Sequence, residues 1–157
     1  MQIRSDNLES EAVLDLLREH LVSMEGTAPP ESRHALDIDG LRSSNINFWS
    51  VWDGERLAGF GALLHHNDDL AEIKSMRTAA PYLRKGVASR LLTHLIQEAK
   101  ARGYSRLSLE TGSMRYFEPA MKLYSSFGFE KTQPFGLYVE DSNSVFLTMN
   151  LKANRLA

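Results

Sequence analysis

Between Leu70 and Thr111 a β-prone run, the strongest amphipathic helical pattern in the chain and a second β-prone run follow one another. Two strands joined through a helix that packs on their own sheet lie parallel, connected by a right-handed crossover. The first run covers residues 70–78. The helix covers residues 86–102, with Val87, Leu91, Leu92, Leu95, Ile96 and Ala99 on one face and Gly103 placed to end it. The second strand, residues 106–111, leads to a shorter helix over 118–127 that stops at Gly128. Upstream, residues 47–52 and 57–65 are β-prone and are joined by Asp53-Gly54-Glu55-Arg56, a strong hairpin signal. Downstream, 137–140 and 145–151 read as two further strands. A parallel pair flanked by hairpins predicts an α/β fold with a mixed, mostly antiparallel sheet, a central parallel strand pair and flanking helices. A doubly wound sheet does not fit this order.

Asp6 and Glu9 have the spacing of a capping box, and Leu8, Ala12, Val13, Leu16, Leu17 and Leu21 recur at helical spacing, which predicts a first helix over residues 7–24. Gly26-Thr27-Ala28-Pro29-Pro30 breaks it, and the polar segment to Ser44 reads as irregular. With 157 residues, 43% of them hydrophobic, the chain is expected to form a single domain over 1–157 with a substantial core, and 152–157 to fray.

Composition excludes several function classes. A net charge of −2 argues against a surface for nucleic acid. The chain has no cysteine, so disulfides, thiolate metal sites and a cysteinyl acyl intermediate cannot form, which fits a reducing compartment. No membrane association is expected, because neither a basic-then-apolar start nor about 18 consecutive apolar residues occurs. The expectation is a soluble, cytoplasmic protein. His65 and His66 face opposite ways on a strand, and His20 and His94 lack a partner one helical turn on, so no metal site is indicated. Gly59-Phe60-Gly61 lacks the third glycine of a dinucleotide fingerprint.

The start of the long helix, Leu83-Arg84-Lys85-Gly86-Val87-Ala88-Ser89, is where a ligand is expected. Gly86 and Ala88 leave the backbone open to close approach, and the unpaired amides of the first turn, with the positive end of the helix dipole, favour phosphate. An ordinary strand-to-helix turn with Arg84 and Lys85 solvated is the alternative.

This opening, together with Leu123-Tyr124-Ser125-Ser126-Phe127-Gly128-Phe129 at the end of the short helix, resembles the GNAT N-acetyltransferase superfamily. The resemblance covers the whole chain in element order. Its specific part runs from Glu72 to Glu130, and the closing Pro134-Phe135-Gly136-Leu137-Tyr138-Val139-Glu140-Asp141, with Leu109-Glu110-Thr111-Gly112 earlier, is similar to a bacterial subgroup of acetyltransferases. It implies acetyl-CoA as acyl donor, with the pyrophosphate wrapped by residues 83–89 and the pantetheine arm bonded by the strand edge at Met76, Arg77 and Thr78. It implies Tyr124 as the acid that protonates the coenzyme A sulfur, and Glu72, through water, as the general base. Glu110 is the rival base, and the alternative to catalysis is that Glu72 pairs with the neighbours of Lys74 on a solvated face. The oxyanion donor would be a backbone N–H near Met76. Two positions depart from the pattern: Leu83 replaces the usual Arg or Gln, and Phe117 stands where many members have an Asn.

The reaction implied is direct acetyl transfer to a primary amine of a small molecule or amino acid, with protein or peptide amines, or a catalytically inactive CoA-binding module, as alternatives. Homodimers are common in the family. Around the irregular segment, Glu25, His34, Asp37 and Asp39 are candidates to hold an ammonium group, and Arg33, Arg42 and Arg77 to hold a carboxylate. Asp141 and Ser144 are further candidates near the last hairpin.

Overall fold

Gly54 at φ 60° takes the first central position of the two-residue turn between Asp53 and Arg56, a conformation that costs glycine nothing, and so closes the hairpin read from the sequence. The computed structural model describes residues 1–152; most of the tail expected to fray, 153–157, lies outside the described residues. In chain order the elements are β1 (Gln2–Ser5), α1 (Glu11–Glu25), α2 (Ile38–Leu41), β2 (Ile46–Asp53), β3 (Arg56–His65), β4 (Leu70–Thr78), α3 (Val87–Ala101), β5 (Arg106–Gly112), α4 (Glu118–Ser126), β6 (Glu130–Lys131) and β7 (Ser144–Asn150). The strands form a seven-stranded sheet in the order β1-β2-β3-β4-β5-β7-β6. Among the described residues only β4 and β5 run parallel, as the intervening helix requires.

The sheet is covered on both faces. Phe60 and Gly61 point to opposite sides of β3. The ring of His20 on α1 packs edge-on against Phe60, with centroids 5.8 Å apart. On the other side a Cβ at Gly61 would meet Leu91 at 3.1 Å and Leu95 at 3.3 Å, so α3 presses on the sheet where a side chain is missing. Val87, Leu91, Leu92, Leu95 and Ala99 are the buried stripe of α3, and fully burying each leucine is worth about 1.5–3 kcal/mol.

Three sequence expectations are corrected. The chain begins with a strand, and α1 starts at Glu11 with Ser10 as its cap: the Ser10 hydroxyl accepts from the Val13 amide. Asp6 instead ties the turn after β1 to the sheet, accepting from the Leu8 amide (2.7 Å) and the Ser50 hydroxyl (2.6 Å). Residues 137–140 form no strand; Leu137 and Val139 stand in solvent, and the pairing partner of β7 on its outer side is the two-residue β6.

One irregularity positions the site. Phe60 pairs with Arg77 and Ala62 with Lys74, so Ser75 and Met76 together oppose Gly61. This β-bulge carries Ser75 at φ 54°, a left-handed conformation rare for a residue with a Cβ. Beside it, a Cβ at Gly59 would lie 2.6 Å from the Arg77 carbonyl oxygen. Gly59→Ala is therefore expected to destabilise the protein by about 1–3 kcal/mol in urea unfolding; unchanged stability would contradict this close approach of β3 and β4.

Candidate active site

β4 and β5 pair only over Leu70–Glu72 and Arg106–Ser108, after which no ladder joins them. From Ile73 onward the β5-facing backbone of β4 therefore lacks a strand partner, and a cleft of about 610 Å³ opens between Ile73–Thr78 on one side and Leu109–Gly112 on the other. Met76, Arg77 and Thr78 line it. The bulge at Ser75 turns the backbone locally out of the sheet plane at this edge. The Ser75 hydroxyl oxygen is buried there without a hydrogen-bond partner among the described residues.

At one end of the cleft the chain turns into α3. Arg84 (φ 62°) and Gly86 (φ 81°) are left-handed, alternating with residues of ordinary φ, which turns successive amides toward one side in the manner of an anion-holding nest. Gly86 is the residue before the helix, and no side chain caps the free amides of the first turn. A Cβ on Gly86 would find open space, so its need for glycine is conformational. Leu83, Arg84, Gly86, Val87, Ala88 and Ser89 line the cleft; Lys85 does not, and its ammonium lies 5.8 Å over the Tyr82 ring. Tyr82 anchors the loop by donating to Asp53 Oδ2 at 2.9 Å.

On the β5 side, Gly128 (φ 98°) ends α4, and the Phe129 amide returns to the Tyr124 carbonyl. That closure packs Phe129 against the Tyr124 ring, 5.7 Å between centroids. Tyr124 is buried and lines the cleft, and its hydroxyl bonds to no group among the described residues. Burial pushes its pKa up to about 12, so it remains a proton donor across the neutral range. The Phe117 ring packs directly against Gly112, where a Cβ would come within 2.2 Å of it. The apolar wall that replaces the family asparagine thus depends on a glycine in the facing strand.

Glu72 is only 1% exposed, and its carboxylate is fully engaged. Oε1 meets His66 Nε2 at 2.8 Å; Oε2 accepts from the Tyr138 hydroxyl at 2.6 Å and lies 3.3 Å from Lys74 Nζ. Lys74 also donates to Tyr138 (2.7 Å) and to the His34 carbonyl (3.0 Å). The role of Glu72 in this geometry is to hold together β4, the turn at His66 and the loop at Tyr138. Glu110 differs. Its Oε2 accepts from the Ser144 hydroxyl at 2.7 Å, no cation pairs with it among the described residues, and it faces the cleft. Burial raises its carboxyl pKa above the ordinary range, opposed by the Ser144 hydrogen bond and by the nearby His34 and Lys74.

Other candidates have structural employment. Arg42 donates to the Leu8 carbonyl, and Asp37 caps α2 through the Gly40 amide. Glu25 and Asp39 are exposed. Arg77 spans from β4 to α1, bonding Glu19 (3.1 Å) and Ser23 (2.7 Å) beside His20, whose pKa burial lowers to about 4. Asp141 accepts from Ser32 at 2.5 Å. No cluster of metal-ligating side chains occurs among the described residues. No helix among them is long and apolar enough to cross a membrane.

The family model of the GNAT acetyltransferases matches residues 11–129. The chain belongs to the GNAT family. It is 56% identical over 151 residues to the uncharacterized N-acetyltransferase YsnE of Bacillus subtilis, covering 96% of this chain and all of that one. To the uncharacterized N-acetyltransferase YedL of Escherichia coli it is 47% identical over 152 residues, 97% of this chain and 96% of that one. Among solved structures, a GNAT acetyltransferase of Elizabethkingia anophelis with acetyl-CoA bound superimposes with a TM-score of 0.67 at 18% identity, over 95% of this chain and 97% of that one. At that identity the likeness is one of fold. GNAT membership makes this chain an acetyltransferase and accounts for the mixed sheet with its single parallel pair.

Sequence reasoning missed the Glu72 network because its members come from β4, the turn after β3 and a loop some 65 residues on, at no regular spacing. Tyr138→Phe removes the hydroxyl that bridges Glu72 and Lys74. A loss of about 1–3 kcal/mol in chemical denaturation is expected; wild-type stability would show that the buried charges do not depend on it.

Proposed function

We propose that this GNAT protein transfers the acetyl group of acetyl-CoA directly to a primary amine of a small molecule or amino acid. The observation that carries this reading is the parting of β4 from β5 beside a helix that opens with free amides, with a phenol of unengaged hydroxyl lining the same cleft. The nest at Arg84 and Gly86 suits a diphosphate, and the open edge at Met76–Thr78 suits the amides of a pantetheine arm. Bound there, acetyl-CoA supplies a thioester carbonyl open to an amine. A backbone N–H at the Ser75–Met76 bulge is a fitting donor to the oxygen of that carbonyl. The absence of cysteine favours direct attack over a thioester on the protein. A cytoplasmic setting belongs to this reading.

Glu110 is the better choice of base, since Glu72 could accept a proton only by giving up its three partners. An acceptor ammonium gives one proton to Glu110, directly or through water, and its nitrogen attacks the carbonyl carbon. The carbon–sulfur bond breaks, Tyr124 protonates the departing thiolate, and the second proton leaving the nitrogen restores Tyr124. The raised pKa of Tyr124 does not forbid this, because the same desolvation also raises the basicity of the thiolate.

A thiol-release assay with acetyl-CoA and a panel of amines, amino acids and peptides tests the reading. Tyr124→Phe is expected to lower kcat about 100-fold with little change in the KM for acetyl-CoA. Full turnover by this variant would reject Tyr124 as the acid, and acetyl-CoA binding without turnover on any amine would favour a non-catalytic CoA-binding module.

The pH dependence follows from the sign of the Glu110 shift. The carboxylate is the active form, so kcat/KM should fall as the pH drops through a value above the ordinary glutamate pKa of about 4.3. Glu110→Gln is expected to erase that acidic limb and lower the plateau by about 100-fold. A carboxyl with a raised folded-state pKa stabilises the fold at low pH and loses that contribution as the pH rises through the raised value. At neutral pH the Gln variant should therefore melt no lower than wild type. An unaltered pH profile would assign the base elsewhere.

A further inference from the structure

The charges lining the cleft pair off within the protein, with few left over. Glu19 is bound to Arg77 at 3.1 Å, and Glu72 to Lys74 at 3.3 Å. Arg84 belongs to the turn before α3, at the end assigned above to the diphosphate. Beside the imidazoles of His20 and His34, what remains is one permanent cation and one carboxylate, Arg33 and Glu110. Among the described residues Arg33 makes no ion pair, and its Nε is buried with no acceptor. A buried guanidinium N–H without an acceptor is costly unless something else supplies one.

These two residues flank a single turn. Ser32, next to Arg33, donates to Asp141 Oδ2 at 2.5 Å and accepts from the Asn143 side chain at 3.4 Å. Ser144, next to Asn143, donates to Glu110 at 2.7 Å. His34, on the other side of Arg33, is close enough to favour the charged form of Glu110. The unpaired guanidinium and the unpaired carboxylate thus border the same end of one cleft, with the unpartnered Ser75 hydroxyl also lining it.

We propose that the acceptor is a zwitterion, an α-amino acid or a compound with the same spacing of amine and carboxylate, whose carboxylate is taken by Arg33 while its ammonium faces Glu110. The inference deepens the acetyl-transfer reading and rests on it. A guanidinium offers two parallel N–H donors that match a carboxylate, and Arg33 is the one permanently charged, unpaired cation at this end, which suits a carboxylate better than a phosphate dianion. Arg33 is then the residue that selects the acceptor. Arg42 and Arg77, equal candidates by sequence, are committed elsewhere.

The test measures kcat/KM at saturating acetyl-CoA for the protein amino acids, their carboxamides and the matching decarboxylated amines, with a lysine-containing peptide as a further arm. The preferred acceptor is expected to carry a free carboxylate and to exceed its own carboxamide and amine at least about tenfold. Arg33→Gln should abolish that preference, chiefly through the KM for the acceptor, while Arg33→Lys restores part of it. The acetyl-CoA affinity and melting temperature of both variants report whether the donor site and fold persist. Carboxamides or amines used as well as the acids, acetylation of the peptide alone, or an Arg33→Gln enzyme that keeps the preference would overturn the inference. Calorimetry showing no acetyl-CoA binding by the wild type would instead overturn the acetyl-transfer reading, and this inference with it.

Discussion

Glu72 is the last residue of β4 to pair with β5, and its carboxylate is buried at the fork where the two strands separate. Taking a carboxylate out of water costs several kcal/mol unless partners surround it. Here they come from three places: His66 from the turn after β3, Lys74 from β4 itself, and Tyr138 from the loop between β6 and β7. Lys74 extends the reach to the His34 carbonyl, bringing in the irregular segment after α1. The burial of one charge thus gathers loops distant in sequence around the acceptor end of the cleft. Such a network is weak evidence for net stability; its consequence is a defined arrangement of walls around an opening that the sheet alone would leave bare.

At the opposite end the chain uses backbone in place of side chains. Left-handed Arg84 and Gly86 and the uncapped first turn of α3 present N–H groups that have left the regular ladders, as does the Ser75 bulge along the β4 edge between the two ends. Backbone recognition tolerates variation in side chains, so the proposed donor site does not depend on an Arg or Gln at Leu83, which is 57% exposed. The two ends divide the work of an acetyltransferase. In the proposed reading, donor binding rests on backbone geometry and acceptor choice on the few side chains whose charges are left unpaired.

Most of the fold was legible in the sequence because its signals are local. The hairpin turn at Gly54, the start of α3 at Gly86 and the ends of α3 and α4 at Gly103 and Gly128 are all left-handed glycines, and each fell where the pattern placed it. β1 escaped notice because it is a short, mostly exposed edge strand whose order comes from pairing with β2. Leu137 and Val139 misled because alternation signals a strand only if one side is buried, and both stand in solvent. The lining of the cleft was legible where it follows the family resemblance, at residues 83, 84, 86–89 and Tyr124, all of which border it. It was not legible where it depends on which charges find partners, since the difference between Glu72 and Glu110, or between Arg33 and Arg77, is made by residues dozens of positions away.

The claim on which the account turns is that the free amides before and within the first turn of α3, with those of the β4 edge, grip the acyl donor. Backbone amide resonances followed during titration with acetyl-CoA test this directly. The account predicts the largest shifts at residues 84–89 and 75–78, with the opposite end of α3, at residues 100–103, unmoved. Shifts confined to the far hollow near Arg106, Gly128 and Thr148, with Gly86 and Met76 unchanged, would contradict it.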